Sequence, residues 1–501
     1  MNLYHTLYAG RDPGSVALHV PGIATYTTVA LVEQIGRYAA ALHALGIRQG
    51  DRISFQLEKA PEVIFLAHAC IQLGAILHPL NTAYTDQEIG YLLSDAEPAL
   101  FVCEPAAEGR FTNLAAQAKS RLETLSGGGR GTLGALATQQ PPRQDIASLD
   151  IDAIAAILYT SGTTGKPKGA QITHNNLAES ARALMSVWRL GPSDALLHAL
   201  PVYHAHGLLT AVNTMLVAGG SILFLPQFDA GEVIAALPAA TLMMGVPTHY
   251  ARLLREPGFA EALGPTFRLA ISGSAPLPRE LAAEFAQRTG RRIIERYGAT
   301  ETAIVTAVPA DAADRTGWVG WPLPGVEVRV AAADGTSALR SATGELQTRG
   351  HNVFRGYWKR PAADRDAFTP DGWFVTGDLA EIDDSGCVRL LDRSKDLIIT
   401  GGLNVYPREV ESVLDTLAGI AQSAVFAVPH PDFGEAVAAV VALKPGASFD
   451  EATAIAAAKT SLAAYKVPKR ILVVDEIPRN HMSKVLKAEL RAQYRNLFVP
   501  L

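Results

Sequence analysis

The segment Tyr159–Gly169, YTSGTTGKPKG, follows the apolar run Ile154–Leu158 and has what a phosphate needs. Glycines let the backbone come close to an anion, while N–H groups and Ser/Thr hydroxyls donate hydrogen bonds. Lys166 and Lys168 supply charge. The spacing is G-x-x-G-K, with Pro167 where a Walker loop needs its Mg-binding Ser or Thr, so this is a different phosphate loop. A generic Gly/Ser/Thr turn would carry no such reading; the full string of Thr160, Ser161, Gly162, Thr163, Thr164, Gly165, Lys166 and Lys168 does.

Four further segments fit the same chemistry. Tyr297–Thr302 (YGATET) sets a ring, a flexible glycine, hydroxyls and the Glu301 carboxylate within six residues. Phosphate-bound Mg²⁺ takes oxygen ligands and needs only one or two carboxylates. Phe374–Leu379 (FVTGDL) ends a strand at Asp378, a carboxylate able to accept both hydroxyls of a ribose. Leu391–Asn404 (LDRSKDLIITGGLN) joins a charged turn to a glycine bend, and Pro478–Lys487 (PRNHMSKVLK) carries Lys484 near the end of the chain. Singly, each is as readily ordinary: Glu301 a solvated carboxylate, Asp378 a turn residue, Lys484 a helix-surface lysine.

In this order, the segments resemble the adenylate-forming superfamily of acyl-CoA synthetases, luciferases and peptide-synthetase adenylation domains. The motifs run from residue 157 to 487, and the first 150 residues match the family's helix–sheet rhythm. The resemblance implies a carboxylic acid attacking the α-phosphate of ATP to give an acyl-AMP, then displacement of AMP by the thiol of coenzyme A. It implies that Ser161–Lys168 hold the β and γ phosphates and that Glu301 holds Mg²⁺. Thr300 would touch the α-phosphate, and Tyr297 and Gly298 would lie against adenine beside Gly273, Ser274 and Ala275. Asp378 and Arg393 would bind ribose, and Lys484 would be the catalytic lysine. It further implies a hinge at Lys395, about which a mobile C-terminal lid presents Gly401 and Gly402 for the thiol step. Two positions depart from the usual pattern: Ser483 replaces a glycine before the catalytic lysine, and Asp392 replaces a frequent glycine at the hinge. Acetylation of Lys484 by a protein lysine acetyltransferase would block adenylation specifically.

Three stretches resemble the bacterial malonyl-CoA synthetases of that superfamily: HALPVYHAHG (198–207), FLPQF (224–228) and MGVPTHYARLL (244–254). The resemblance puts Arg252 on the distal carboxylate of malonate and His204, His206, Ser274 and Ala299 on the acyl-pocket wall. A guanidinium buried in a fatty-acid pocket would go unpaired, whereas a second carboxylate gives it charge-assisted hydrogen bonds. The H-x-H pair of His204 and His206 has no third ligand nearby, so a pocket wall is the better reading than a metal site. Ala299 stands where those enzymes often have Met, leaving room for a branched acid. The expected reaction is malonate, and also methylmalonate, with ATP and CoA to the acyl-CoA. The alternatives are another small acid, a stand-alone enzyme loading a carrier protein, or a non-catalytic nucleotide or CoA sensor.

These side chains need elements to hold them. The chain has 501 residues, enough for roughly two to four domains. With 48% hydrophobic and 19% charged residues it is globular, and a charge of 44 − 49 = −5 without a basic block excludes a nucleic-acid surface. Three scattered cysteines give no disulfide framework. No signal peptide or membrane span is visible, so a cytoplasmic enzyme is expected. The pattern predicts an α/β fold: a large N-terminal domain of helix-covered β-sheets (1–391), a hinge (392–395) and a small α+β domain (396–501). Helices are expected over Leu31–Leu45, Ala60–Leu80, Pro407–Leu417, Asp450–Ala464 and from about Ser483, and a loop over Ser126–Pro142. Strands are expected over Arg52–Leu57, Ala99–Cys103, Ala424–Val428, Ala436–Leu443 and Arg470–Val474.

Overall fold

The computed structural model describes residues 2–161, 167–275, 277–332, 337–393, 398–478 and 485–498. Lys166, Lys395 and Lys484 lie outside them, as do Gly162, Thr163, Thr164 and Gly165. The chain divides into two compact units. One takes Met1–Thr82, Leu93–Leu158 and Gly169–Asp392; the other takes Ala83–Leu92, Tyr159–Lys168 and Arg393–Leu501. The fold is mixed α/β.

The described residues form four sheets. In the largest, strands Ser221–Phe224, Ala195–His198, Leu242–Gly245, Leu269–Ser272 and Ile293–Ala299 run parallel side by side. Their central residues are buried, as a sheet covered on both faces requires. Parallel order brings five carboxyl ends to one edge, where the loops of an open α/β sheet bind ligands. His198, Phe224, Gly245, the Gly273–Ala275 loop and the Ala299–Glu301 turn all stand there. A register shift at Tyr297/Gly298, where Ile293–Ala299 meets the antiparallel strand Ala303–Ala307, is the kind of irregularity that re-aims side chains.

The expected helix over Ala60–Leu80 is a helix, Pro61–Leu73, followed by a strand, Ile76–Pro79. Pro61 sits in the first turn and Gly74, at φ +69°, ends the helix. The polar Gln72 is buried because its amide donates to the carbonyls of Arg143 (3.0 Å) and Asp145 (3.1 Å). The expected loop over Ser126–Pro142 also differs, since Thr132–Gln139 is helical once the glycines have turned the chain.

In the second unit, Ile420–His430 and Gly434–Leu443 form a long antiparallel pair, with Arg470–Val473 parallel to the latter. Alternate residues cover opposite faces. Val425, Val437 and Val441 pack with Val410, Leu414 and Ala458, while Phe426, Val428 and Val440 pack with Leu490. Helix Pro407–Leu414 stops three residues earlier than expected, and Glu451–Ser461 starts from an Asp450 cap that accepts from Thr453 N at 2.8 Å. The last helix is Lys487–Gln493. Gly401 (φ +57°) and Gly402 (φ +82°) turn the hairpin between Ile398–Thr400 and Leu403–Val405, a conformation other residues rarely adopt.

Candidate active site

Segment Phe354–Trp358 draws strand Pro167–Thr173 and the Thr300–Thr302 turn together. Trp358 N donates to Gly169 O (2.7 Å) and Arg355 N to Gln171 O (2.9 Å), while Phe354 N donates to Glu301 O (2.8 Å). The Tyr357 hydroxyl donates to Glu301 Oε1 at 3.0 Å. Glu301 and Thr300 sit in a short 3₁₀ turn, half-buried. One carboxylate in a half-buried turn suits Mg²⁺ that takes most of its ligands from phosphate and water. No cluster of three or more metal-ligating side chains occurs among the described residues.

Tyr297 is buried, and its hydroxyl donates to Asp378 Oδ2 at 2.6 Å. That bond ties strand Ile293–Ala299 to strand Phe374–Ile382, and a ring face and a carboxylate so coupled suit adenine and ribose. Asp378 is half-buried, and its N–H donates to Thr376 Oγ1 (3.1 Å). Thr160 is buried on strand Ile154–Ser161 and Lys168 half-buried on strand Pro167–Thr173.

Of the acyl-pocket candidates, His204, His206 and Ser274 come together. His206 opens a π-helical turn, His206–Val212, a local geometry common at functional sites. Its Nδ1 is 3.2 Å from Ser274 Oγ, and its backbone N–H donates to His204 Nδ1 at 3.2 Å. Its Nε2 is buried without a hydrogen-bond partner among the described residues. Burial holds the pKa of His206 well below the usual range and that of His204 at about 4, with the Arg296 charge adding to both. Both rings are therefore neutral at physiological pH.

Arg296 was not among the residues expected from the sequence, and it is the most telling of them. Its guanidinium is buried in the strand interior, and Nε and Nη2 have no partner among the described residues. It lies over Gly273, where a Cβ would collide with Nε and Cζ, so this glycine makes room for it. Desolvation lowers its pKa to about 10, still leaving it charged at neutral pH. A buried, unpaired charge costs several kcal/mol unless an anion arrives. Arg252, by contrast, is exposed on helix Pro247–Arg255. Its charge does reach His249, whose pKa burial lowers to about 3 and whose ring stacks on Phe228 at 4.0 Å.

Residues 7–358 match the AMP-binding enzyme family, and residues 409–484 match its C-terminal domain. The chain belongs to the AMP-binding enzyme family. It is 34% identical to a feruloyl-CoA synthase of Amycolatopsis sp., over 97% of each chain. Among solved structures it is similar to apo MatB of Rhodopseudomonas palustris, at 43% identity and TM-score 0.77, covering 99% of this chain and 100% of that one. It is also similar to a malonyl-CoA ligase solved as a ternary product complex with methylmalonyl-CoA and AMP. The identity there is 34% and the TM-score 0.81, covering 94% of this chain and 99% of that one. As a family member of this kind, the protein is an AMP-forming acid–CoA ligase that takes ATP and CoA. No described helix is long and apolar enough to cross a membrane.

Glu295, on the opposite face of the strand from Arg296, was also missed. Its Oε1 accepts from Gly317 N at 3.1 Å. Burial raises its pKa from 4.5 to about 7, against the N–H groups of Gly317 and Leu277, which lower it. An acid whose folded pKa is raised stabilises the fold fully below its unfolded pKa and loses that stabilisation as pH rises through the folded one. Wild-type stability should therefore decline between about pH 4.5 and pH 7 on this account. Glu295→Gln, which cannot ionise, should flatten that decline, read as a smaller Tm difference between about pH 5.5 and about pH 8.

Proposed function

We propose that the protein is an ATP-dependent malonyl-CoA synthetase that also accepts methylmalonate. It converts the diacid, ATP and CoA to the acyl-CoA, AMP and pyrophosphate through an enzyme-bound malonyl-AMP. The observation that carries this reading is the buried guanidinium of Arg296, whose Nε and Nη2 have no partner among the described residues and whose charge acts on neutral His204 and His206. A monocarboxylate tail would leave that charge bare. A second carboxylate meets it with charge-assisted hydrogen bonds, while neutral imidazoles can donate or accept without repelling the substrate. The malonyl-CoA ligase similarity supports the same substrate class.

In the first step a carboxylate oxygen bonds to the α-phosphorus and pyrophosphate leaves. Two anions must meet, so donors aimed at the developing charge are the main requirement. Thr300 meets the α-phosphate, Ser161–Lys168 hold the outer phosphates, and Tyr297, Gly298 and the Gly273–Ala275 loop flank adenine. Asp378 and Arg393 take the ribose, and Lys484 bridges acid and phosphate. Glu301 would hold Mg²⁺, which neutralises phosphate charge when bound. In the second step the CoA sulfur attacks the acyl carbon and AMP leaves, with the Gly401–Gly402 turn presented by a C-terminal domain rotating about Lys395.

Ala299, exposed at the strand end, is the element that admits a branch. A methylene in such a pocket is worth about 1–3 kcal/mol, roughly 10–200-fold. Ala299→Met should lower kcat/KM for methylmalonate about tenfold or more relative to malonate. The wild type should turn over malonate and methylmalonate well ahead of acetate and ferulate in an ATP- and CoA-dependent assay. Ferulate in first place would refute the reading.

A further inference from the structure

Lys59 follows strand Arg52–Gln56 of a different sheet, yet its ammonium donates to His198 O at 2.8 Å. It lies 4.4 Å above the centre of the Phe224 ring. His198 and Phe224 are partners at the carboxyl ends of two adjacent strands. His198 Nε2 in turn lies 3.0 Å from the Gly207 carbonyl, in the turn that presents His206. The Lys59 charge acts on His198 and on His249; Arg252 also acts on His249, and Arg296 on His204 and His206. Among the described residues no carboxylate acts on Lys59, Arg296, His198, His204 or His249. Burial disfavours the charged form of Lys59, and no internal acid offsets that. Lys59, through the His198 carbonyl, and Arg296, over Gly273, thus both bring positive charge to the segments that carry His198, His204 and His206.

We propose that Lys59 is a specificity-determining residue, whose ammonium makes the acyl pocket select dianionic acids over monocarboxylates of the same length. This rests on the malonate reading above and adds to it a charge that reaches the pocket from the other sheet. Lys59 is half-buried, so its charge is screened less than that of a fully exposed lysine.

The test compares wild type, Lys59→Met and Lys59→Arg by kcat/KM for malonate and for propionate, with Tm measured on each. Lys59→Gln replaces Lys59→Met if the latter does not fold. The expected result is a malonate-to-propionate ratio lowered about 10–100-fold in the uncharged variant and largely restored in Lys59→Arg. A ratio that stays at the wild-type value while both activities fall together would make Lys59 a prop for the His198 turn and overturn the proposal. If wild type itself prefers propionate, the malonate reading fails first, and this inference with it.

Discussion

Arg296→Met should lower kcat/KM for malonate by about 10²–10³-fold, because truncating one partner of a buried charge pair costs roughly 2–5 kcal/mol. The loss should appear chiefly in KM, since the distal carboxylate is bound alike in the ground and transition states. The same variant should gain on propionate or butyrate relative to malonate, because it no longer exposes a bare guanidinium to an alkyl tail. Methionine fills most of the volume over Gly273, so the fold should hold. Steady-state kinetics with malonate and butyrate, together with a thermal melt, check the three statements. A variant that kept its malonate preference would move the diacid site elsewhere, to Arg252 or Lys59.

Lys484→Met should separate the two half-reactions. Pyrophosphate exchange with malonate should drop about 10²–10³-fold, the usual loss for removing one donor from a developing oxyanion. Formation of malonyl-CoA from synthetic malonyl-AMP should change less than about tenfold, because the account gives Lys484 no part in the thiol step. Lys487, three residues on, pairs with Glu411 at 2.7 Å in the C-terminal unit. Lysine charge near the chain's end therefore has structural work as well, and Lys487→Met should act on stability before it acts on exchange.

Much of this was legible in the sequence because it is local. The family was legible because YTSGTTGKPKG, YGATET and FVTGDL are short strings whose types and order suffice, whereas the parallel strands Ala195–His198, Ser221–Phe224, Leu242–Gly245 and Leu269–Ser272 were not among the expected ones. What was not legible depends on register and on distance along the chain. Which of Arg252 and Arg296 is buried turns on a strand whose alternate residues face opposite ways, with an irregularity at Tyr297/Gly298. The available signal was a charged pair, Glu295–Arg296, between Ile294 and Tyr297 inside a strand, where solvent is absent. Lys59 and His198 are 139 residues apart, and nothing in either segment announces the other. Tyr357 gave no signal either, since its hydroxyl matters only through Glu301. The helix Thr132–Gln139 was obscured by the glycines before it and by Gly134 within it.

The most direct measurement is a competition. The protein is given ATP, Mg²⁺ and CoA with equal concentrations of malonate, methylmalonate, succinate, acetate, butyrate and ferulate, and the acyl-CoA products are counted by mass spectrometry at low conversion. Product ratios then report ratios of kcat/KM. The account predicts malonyl-CoA first, methylmalonyl-CoA second and the monocarboxylates far behind. Butyryl-CoA or feruloyl-CoA as the main product would contradict it.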